Sequence, residues 1–259
     1  MDTLVLVLVG VLGLVVGSFL NVVIHRVPSG ESVVRPRSRC PGCATEIAAR
    51  DNIPVVSWLL LRGRCRSCGQ PISVRYPIVE LGTGVLFALL TAVVGVDWAL
   101  PAFLYLGAVG MALAVIDLDT HRLPDALTLP SYAVGGALLL LPAVAEGSWD
   151  AYLRAWLGAA ALFAFYLLLV VVYPAGMGLG DVKLAGVLGL YLGWLGWGAL
   201  VVGAFLGFLL GAVVGGVIMV VRRTGRKHKI PFGPFMLVGT LLAVIWGNPV
   251  WDWYVGRLG

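Results

Sequence analysis

The sequence predicts an all-α polytopic membrane protein of about eight transmembrane helices, with a small cytoplasmic zinc-ribbon-like insert between helices 1 and 2. Three observations carry this expectation. Of 259 residues, 60% are AVILMFWYC and only 12% are charged, where soluble domains carry about 25% charge. Apolar runs near the ~20 residues needed to cross a ~30 Å hydrocarbon core recur along the chain. The four cysteines stand as two CxxC pairs in one polar stretch. A mean hydropathy of +0.98 excludes a disordered chain, a disulfide-rich mini-protein and an ordinary soluble enzyme.

Eight spans are expected, over 3–24, 77–95, 100–116, 126–144, 152–173, 184–197, 198–221 and 233–246. The first begins at Asp2 with no basic residue before it, so it is expected to be retained and not cleaved as a signal peptide. The stretch 184–221 is too long for one tilted helix and divides at Gly196-Trp197-Gly198. The sixth and eighth spans are short. The chain therefore divides into a first helix (1–24), an insert (25–76) and a seven-helix membrane block (77–259).

The basic residues orient these spans. Arg26, Arg35, Arg37, Arg39, Arg50, Arg62, Arg64, Arg66 and Arg75 lie between spans one and two, and Arg222, Arg223, Arg226, Lys227 and Lys229 between spans seven and eight. With Arg122 and Lys183 they put 16 of the 18 cations on one side, which the positive-inside rule makes cytoplasmic. Both termini are then extracytoplasmic. A net charge of +5 concentrated this way speaks for membrane topology and anionic lipid, not for nucleic acid.

Within the insert, Cys40-Pro-Gly-Cys43 and Cys65-Arg-Ser-Cys68 are separated by 21 residues. Two tight turns of this kind bring four thiolates to one tetrahedral ion, with no position left open for catalysis, so a structural zinc is expected. The alternative is a pair of disulfides or unligated thiols, and a cytoplasmic location disfavours the disulfides. Bound metal supplies folding energy that so small an insert lacks. The arginines here either anchor the topology or form a surface for an anionic ligand. Glu80, just inside the second span, is either a helix-end carboxylate paired with Arg75 or a functional group, since ionisable residues at membrane depth are costly.

Two acidic clusters remain. Asp117, Asp119 and Asp125 lie where span three hands over to span four, and Asp181 lies in Gly176-Met-Gly-Leu-Gly-Asp-Val-Lys183. Carboxylates brought from separate helices to one dehydrated place cannot both ionise easily, so one keeps a proton. That pairing activates water toward a peptide carbonyl. Asp117 follows the apolar run directly and is the candidate partner of Asp181. Asp119 and His121 read as loop residues. Asp125, after Pro124, suits the first turn of the fourth span as a supporting residue. Gly178 and Gly180 allow close approach of a helix or an extended peptide. Alone, Gly-x-Gly-Asp also reads as a helix start with Asp181 at the N-cap, and Lys183 as a topological anchor.

The chain resembles the prepilin peptidases, or type IV leader peptidases, of the GxGD group of intramembrane aspartyl proteases. The likeness runs through Gly17-Ser-Phe-Leu-Asn-Val-Val-Ile-His-Arg26, the paired CxxC knuckles, Leu61-Arg-Gly-Arg-Cys65, Arg75-Tyr-Pro-Ile-Val-Glu80, Ile116-Asp-Leu-Asp119 with Leu123-Pro-Asp125, and Gly176 to Lys183. The resemblance implies that Asp117 and Asp181 form the proteolytic pair. It implies cleavage of a basic leader after a glycine, at the cytoplasmic face of a bacterial inner membrane, from pilins and type II secretion pseudopilins. It further implies N-methylation of the new N-terminal residue with S-adenosylmethionine, for which Glu80 and Arg75 are candidates. The competing class is a proton- or cation-coupled transporter using its intramembrane aspartates. No inverted repeat supports it, and both acidic clusters are expected near one face.

Overall fold

The computed structural model describes residues 2–174, 176–222 and 231–257, and its regular structure is helical throughout. Arg223, Arg226, Lys227 and Lys229, part of the expected second basic loop, lie outside the described residues. The chain forms two compact units. The first is Met1–Val96 with Phe103–Ala112; the second is Asp97–Ala102 with Leu113–Gly259.

The first unit is built on α1 (Thr3–Arg26) and α3 (Arg75–Val94), with the short α2 (Val56–Leu60) in the insert between them. It also takes in the middle of α4 (Leu100–Thr120). Helices α1 and α3 pack with their backbones nearly touching. A Cβ on Gly13 would stand 2.8 Å from Gly84 Cα, and one on Gly17 2.8 Å from Glu80 Cα. One turn later Asn21 is buried, and its amide donates to the carbonyls of Gly17 at 3.3 Å and Tyr76 at 3.2 Å. The opposite face of α1, with Leu4, Leu8, Val11 and Val15, is exposed as a lipid-facing stripe would be.

The second unit comprises the remainder of α4 with α5 (Asp125–Glu146), α6 (Trp149–Val172), α7 (Leu179–Leu195), α8 (Trp197–Arg222) and α9 (Gly233–Val255). Its centre is α7, buried without a break from Leu184 to Gly193. Helices α5, α6, α8 and α9 all pack against it, which covers its flanks with protein. Seven helices among the described residues are long and apolar enough to cross a membrane. At 17 residues, α7 spans only about 26 Å at ~1.5 Å per residue, a shortfall that neighbouring helices cover.

The closest crossing is α6 on α7. A Cβ on Gly189 would overlap Gly158 O, and one on Gly158 would lie 2.6 Å from Gly189 O. Such small-residue contacts replace the hydrophobic drive that lipid removes. Helices α8 and α9 meet the same way at Gly207 and Gly239. Arg154 donates to the Gly193 and Trp194 carbonyls, each at 2.8 Å. It thus satisfies the open carbonyls at the end of α7, which accounts for an arginine far from the basic loops.

Three boundaries differ from expectation. Helix α4 continues past Ile116 to Thr120, so Asp119, expected in the loop, is a helical residue, and Asp117 lies within the helix instead of just beyond it. Helix α7 starts at Leu179 instead of 184, because the Gly-x-Gly-Asp segment forms its first turn. Helix α9 continues past Trp246 to Val255. There Asn248 bridges the turn after α7: its amide donates to Leu195 O at 3.1 Å and its carbonyl accepts the Ala199 N–H at 3.2 Å.

The α6–α7 crossing has no room for a side chain. Gly189→Val is expected to destabilise the protein by about 1–3 kcal/mol through overpacking, read as a lower midpoint of thermal unfolding in detergent. Val220→Leu, on an exposed face of α8, should leave that midpoint unchanged.

Candidate active site and four-cysteine cluster

Asp117 sits in the last turn of α4 and is only 4% exposed, beside the fully buried Ile116 and Leu113. Its helix ends at His121, whose left-handed backbone (φ 54°) turns the chain so that its N–H returns to Asp117 O at 2.9 Å. The Asp117 side chain is met from another helix. Oδ2 accepts the N–H of Gly233, the first residue of α9, at 3.0 Å. A Cβ on Gly233 would lie 2.8 Å from that same oxygen, so only glycine lets the backbone donor approach.

The preceding Phe232 is held in an aromatic group. Tyr166 of α6 stacks on Phe208 of α8 with ring centroids 5.2 Å apart, and Phe208 packs on Phe232 at 5.3 Å. This group fixes the entry to α9 and with it the Gly233 donor. Gly233, Phe232 and Tyr166 were not among the residues expected from sequence. The one available signal was Pro231-Phe-Gly-Pro-Phe235, which reads there only as a helix start.

Asp181 is the third residue of α7, and the N-cap is Gly178. The alternative of Asp181 as the N-cap is thereby corrected. Its Oδ2 accepts the Gly178 N–H at 2.9 Å, the acidic half of a capping box. A Cβ on Gly180 would press on Leu123 Cβ at 3.1 Å, whereas one on Gly178 would make only ordinary contacts with its own helix start. Asp181 is half-buried. Gly180 beside it and Gly233, whose N–H meets Asp117, both come against Leu123, so the segments carrying the two expected acidic partners converge there, and each carboxylate is anchored through Oδ2 to the backbone N–H of a glycine at a helix start. Among the described residues, neither Oδ1 makes a hydrogen bond.

Asp125, the first residue of α5, is ion-paired with Lys183 at 2.7 Å, and Tyr132 of α5 donates to Lys183 O at 2.7 Å. Lys183 thus ties the first turn of α5 to that of α7, next to Asp181, besides marking the basic side.

In the first unit the two CxxC turns are built alike. Cys40 N–H donates to Thr45 O and Ala44 N–H to Cys40 O; Cys65 N–H donates to Gln70 O and Gly69 N–H to Cys65 O. Ala44 and Gly69 are both left-handed, at φ 57° and 71°. The four sulfurs lie within 4.8 Å of one another, with Cys40 Sγ 3.7 Å from Cys68 Sγ. Sulfurs around a tetrahedral zinc at ~2.3 Å stand about 3.8 Å apart, so the arrangement fits such an ion. The Thr45 hydroxyl and backbone hold the Cys43 thiol down to about 6, whereas Cys68, despite its backbone hydrogen bond with Gln70, is pushed up to about 12 by burial and by the other cysteines. Arg66 and Asp51 pair at 3.1 and 2.9 Å through Nε and brace the loop between the knuckles.

Glu80 is 7% exposed in the second turn of α3. Its Oε2 accepts the Val55 N–H at 2.7 Å, so this carboxylate reaches into the insert. Val55 has φ 60° and ψ −49°, with Val56 N–H bonded to Pro54 O at 2.6 Å. This is a three-residue γ-turn in its rare form, and a β-branched residue there costs on the order of 1–3 kcal/mol. Nothing in the sequence marks Val55. Arg75, the other residue considered with Glu80, opens α3.

Comparison with known proteins accounts for both units. Residues 11–94 match the Bacterial Peptidase A24 N-terminal domain, and residues 104–220 match the Type IV leader peptidase family. A prepilin leader peptidase/N-methyltransferase of Aeromonas hydrophila is 39% identical over 273 residues, covering 96% of this chain and 93% of that one. Proteins of the same description from Neisseria gonorrhoeae (39% over 281 residues, 96% and 94% covered) and Pseudomonas aeruginosa (35% over 277 residues, 96% and 92% covered) are also similar. No solved structure matches. The transporter alternative finds no support among these relatives. With identities of this size over nearly the whole of both chains, and with both units matched, the chain belongs to the type IV leader peptidase family.

Proposed function

We propose that the chain is a multi-pass inner-membrane enzyme. In this reading it cuts the basic leader from prepilins and pseudopilins at the cytoplasmic face and N-methylates the residue exposed. The basic loops face the cytoplasm and both termini face outward. The observation that carries the peptidase reading is that Asp117 and Asp181 are each tethered by one oxygen to a glycine N–H, on segments that converge on Leu123.

The chemistry follows from that arrangement. The two carboxylates share a proton and titrate as a unit. The ionised member takes a proton from water, which attacks the scissile carbonyl, while the protonated member hydrogen-bonds the carbonyl oxygen. The tetrahedral species then collapses as a proton passes to the leaving amine. The oxygens for this work are the two Oδ1 atoms, since each Oδ2 is engaged. Half-burial of Asp181 leaves the pair open to an extended peptide. Gly178, which among the described residues has only its own α7 start beside it, offers backbone to that peptide. Asp125 and Lys183 act in support by fixing the first turn of α7.

The four cysteines hold a structural zinc in this scheme, and the insert serves the methylation. S-adenosylmethionine supplies an electrophilic methyl group when bound; the chain must supply a place for the amine, for which Glu80 and Arg75 remain the candidates.

Asp117→Asn or Asp181→Asn should abolish prepilin cleavage in a purified assay while the protein still inserts and folds; full activity in either variant would overturn the pair. Gly233→Ala should lower kcat by up to about a hundredfold with little change in KM, as expected when a catalytic group is displaced by about 1 Å. Elemental analysis should find about one zinc per chain. Its removal by chelation should expose residues 31–73 to protease while the membrane helices stay folded.

A further inference from the structure

The first unit contains a buried carboxylate that peptide hydrolysis does not use. Glu80 lies where Gly17 of α1 closes on α3, with its Oε2 on the Val55 N–H at 2.7 Å. Among the described residues, its Oε1 makes no hydrogen bond or ion pair. Although the residue is only 7% exposed, Oε1 is not among the sealed-off polar atoms, so a cation can reach it and dock there.

The N–H that holds Oε2 comes from a strained turn that its surroundings enforce. Ser57 is buried, accepts the Ile53 N–H at 3.0 Å and donates to Arg50 O at 2.9 Å. Trp58 Nε1 donates to Ile72 O at 3.2 Å on the other side. These bonds pin the segment on either side of Val55. Strain of this kind persists where a site over-determines the backbone, and here its effect is to aim one carboxylate oxygen.

Cleavage of a peptide bond creates an α-amine, which is largely protonated near neutrality because its pKa is about 8. N-methylation requires the same amine with its lone pair free. We infer that Glu80 Oε1 binds the α-ammonium of the newly exposed N-terminus and removes its proton for methyl transfer. The inference rests on the peptidase and methyltransferase reading above. The ammonium gives its proton to Glu80, and the freed lone pair forms an N–C bond to the methyl of a methylsulfonium donor. The S–C bond breaks with its electron pair left on sulfur as a neutral thioether. The product is a methylated ammonium, and Glu80 returns its proton to water. Val55 is a positioning residue in this step, because it occupies Oε2 and leaves Oε1 for the amine.

Glu80→Gln keeps an acceptor for the Val55 N–H and removes only the charge, which separates this role from a structural one. The full-length protein in detergent is given a prepilin substrate and methyl donor, and the ratio of methylated to cleaved product is read by mass. The ratio should fall at least tenfold in Glu80→Gln and be largely restored in Glu80→Asp. Without any methyl donor, the wild type should bind a leaderless product peptide with a free amine at least tenfold more tightly than its N-acetylated form, and Glu80→Gln should lose that preference. A Glu80→Gln protein with the wild-type ratio would overturn the proposal. Equal binding of free and acetylated peptides by the wild type would also overturn it, even if the variant does not fold. A wild type that binds the free amine selectively but neither cleaves nor methylates would instead overturn the broader function and leave the ammonium site standing.

Discussion

Carboxylates placed inside an apolar helical protein must find hydrogen-bond donors, because neither lipid nor side chains of the surrounding type supply them. The donors here are backbone N–H groups at helix starts, which have no partner within their own helix. Asp117 takes one from Gly233 at the start of α9, and Asp181 takes one from Gly178 at the start of α7. Much of the second unit serves to bring these two helix starts to the carboxylates. The aromatic group of Tyr166, Phe208 and Phe232 sets the entry to α9, and the Asp125–Lys183 pair holds the first turn of α7.

The two anchors differ in kind. Gly178 lies three residues from Asp181, so that bond forms with the helix itself. Gly233 lies 116 residues from Asp117, so that bond exists only when α9 has docked. The proposed catalytic pair is therefore completed by tertiary packing, and α7 is the element on which that packing is built. Its contact with α6 at Gly158 and Gly189 has the two backbones in direct touch. Backbones that close are stiff, because no side chain stands between them to yield.

The first unit follows a different logic. The four-cysteine knuckles repeat one hydrogen-bonding scheme, which places their sulfurs at metal-binding separation without a sheet or an apolar core of their own. The insert is joined to the helices below it by the Glu80–Val55 bond. The buried amide of Asn21 and the close approach at Gly17 then hold α1 to α3 at the level of Glu80. A strained valine and a buried acid in one contact are each unfavourable alone. Their coincidence is what sets this place apart from the rest of the unit.

Much of this was legible in the sequence because it depends on local composition and spacing. Apolar run length predicts the helices, the CxxC spacing predicts the thiolate cluster, and the scarcity of charge isolates Asp117, Asp181 and Glu80 as groups needing a reason. The ends of helices were less legible. Helix α4 runs through Asp117 to Thr120 and α9 runs past Trp246 to Val255, because polar residues beyond the apolar run continue the helix and hydropathy does not mark its end. Gly233 and Val55 were invisible for a stronger reason. A glycine before a proline reads as a helix start, and a valine in a loop reads as nothing in particular. Each acquires its meaning from a carboxylate far away in the chain. The residue types that need donors are thus a property of the sequence, whereas the backbone atoms that answer them are chosen only by the packing that brings distant segments into hydrogen-bonding range.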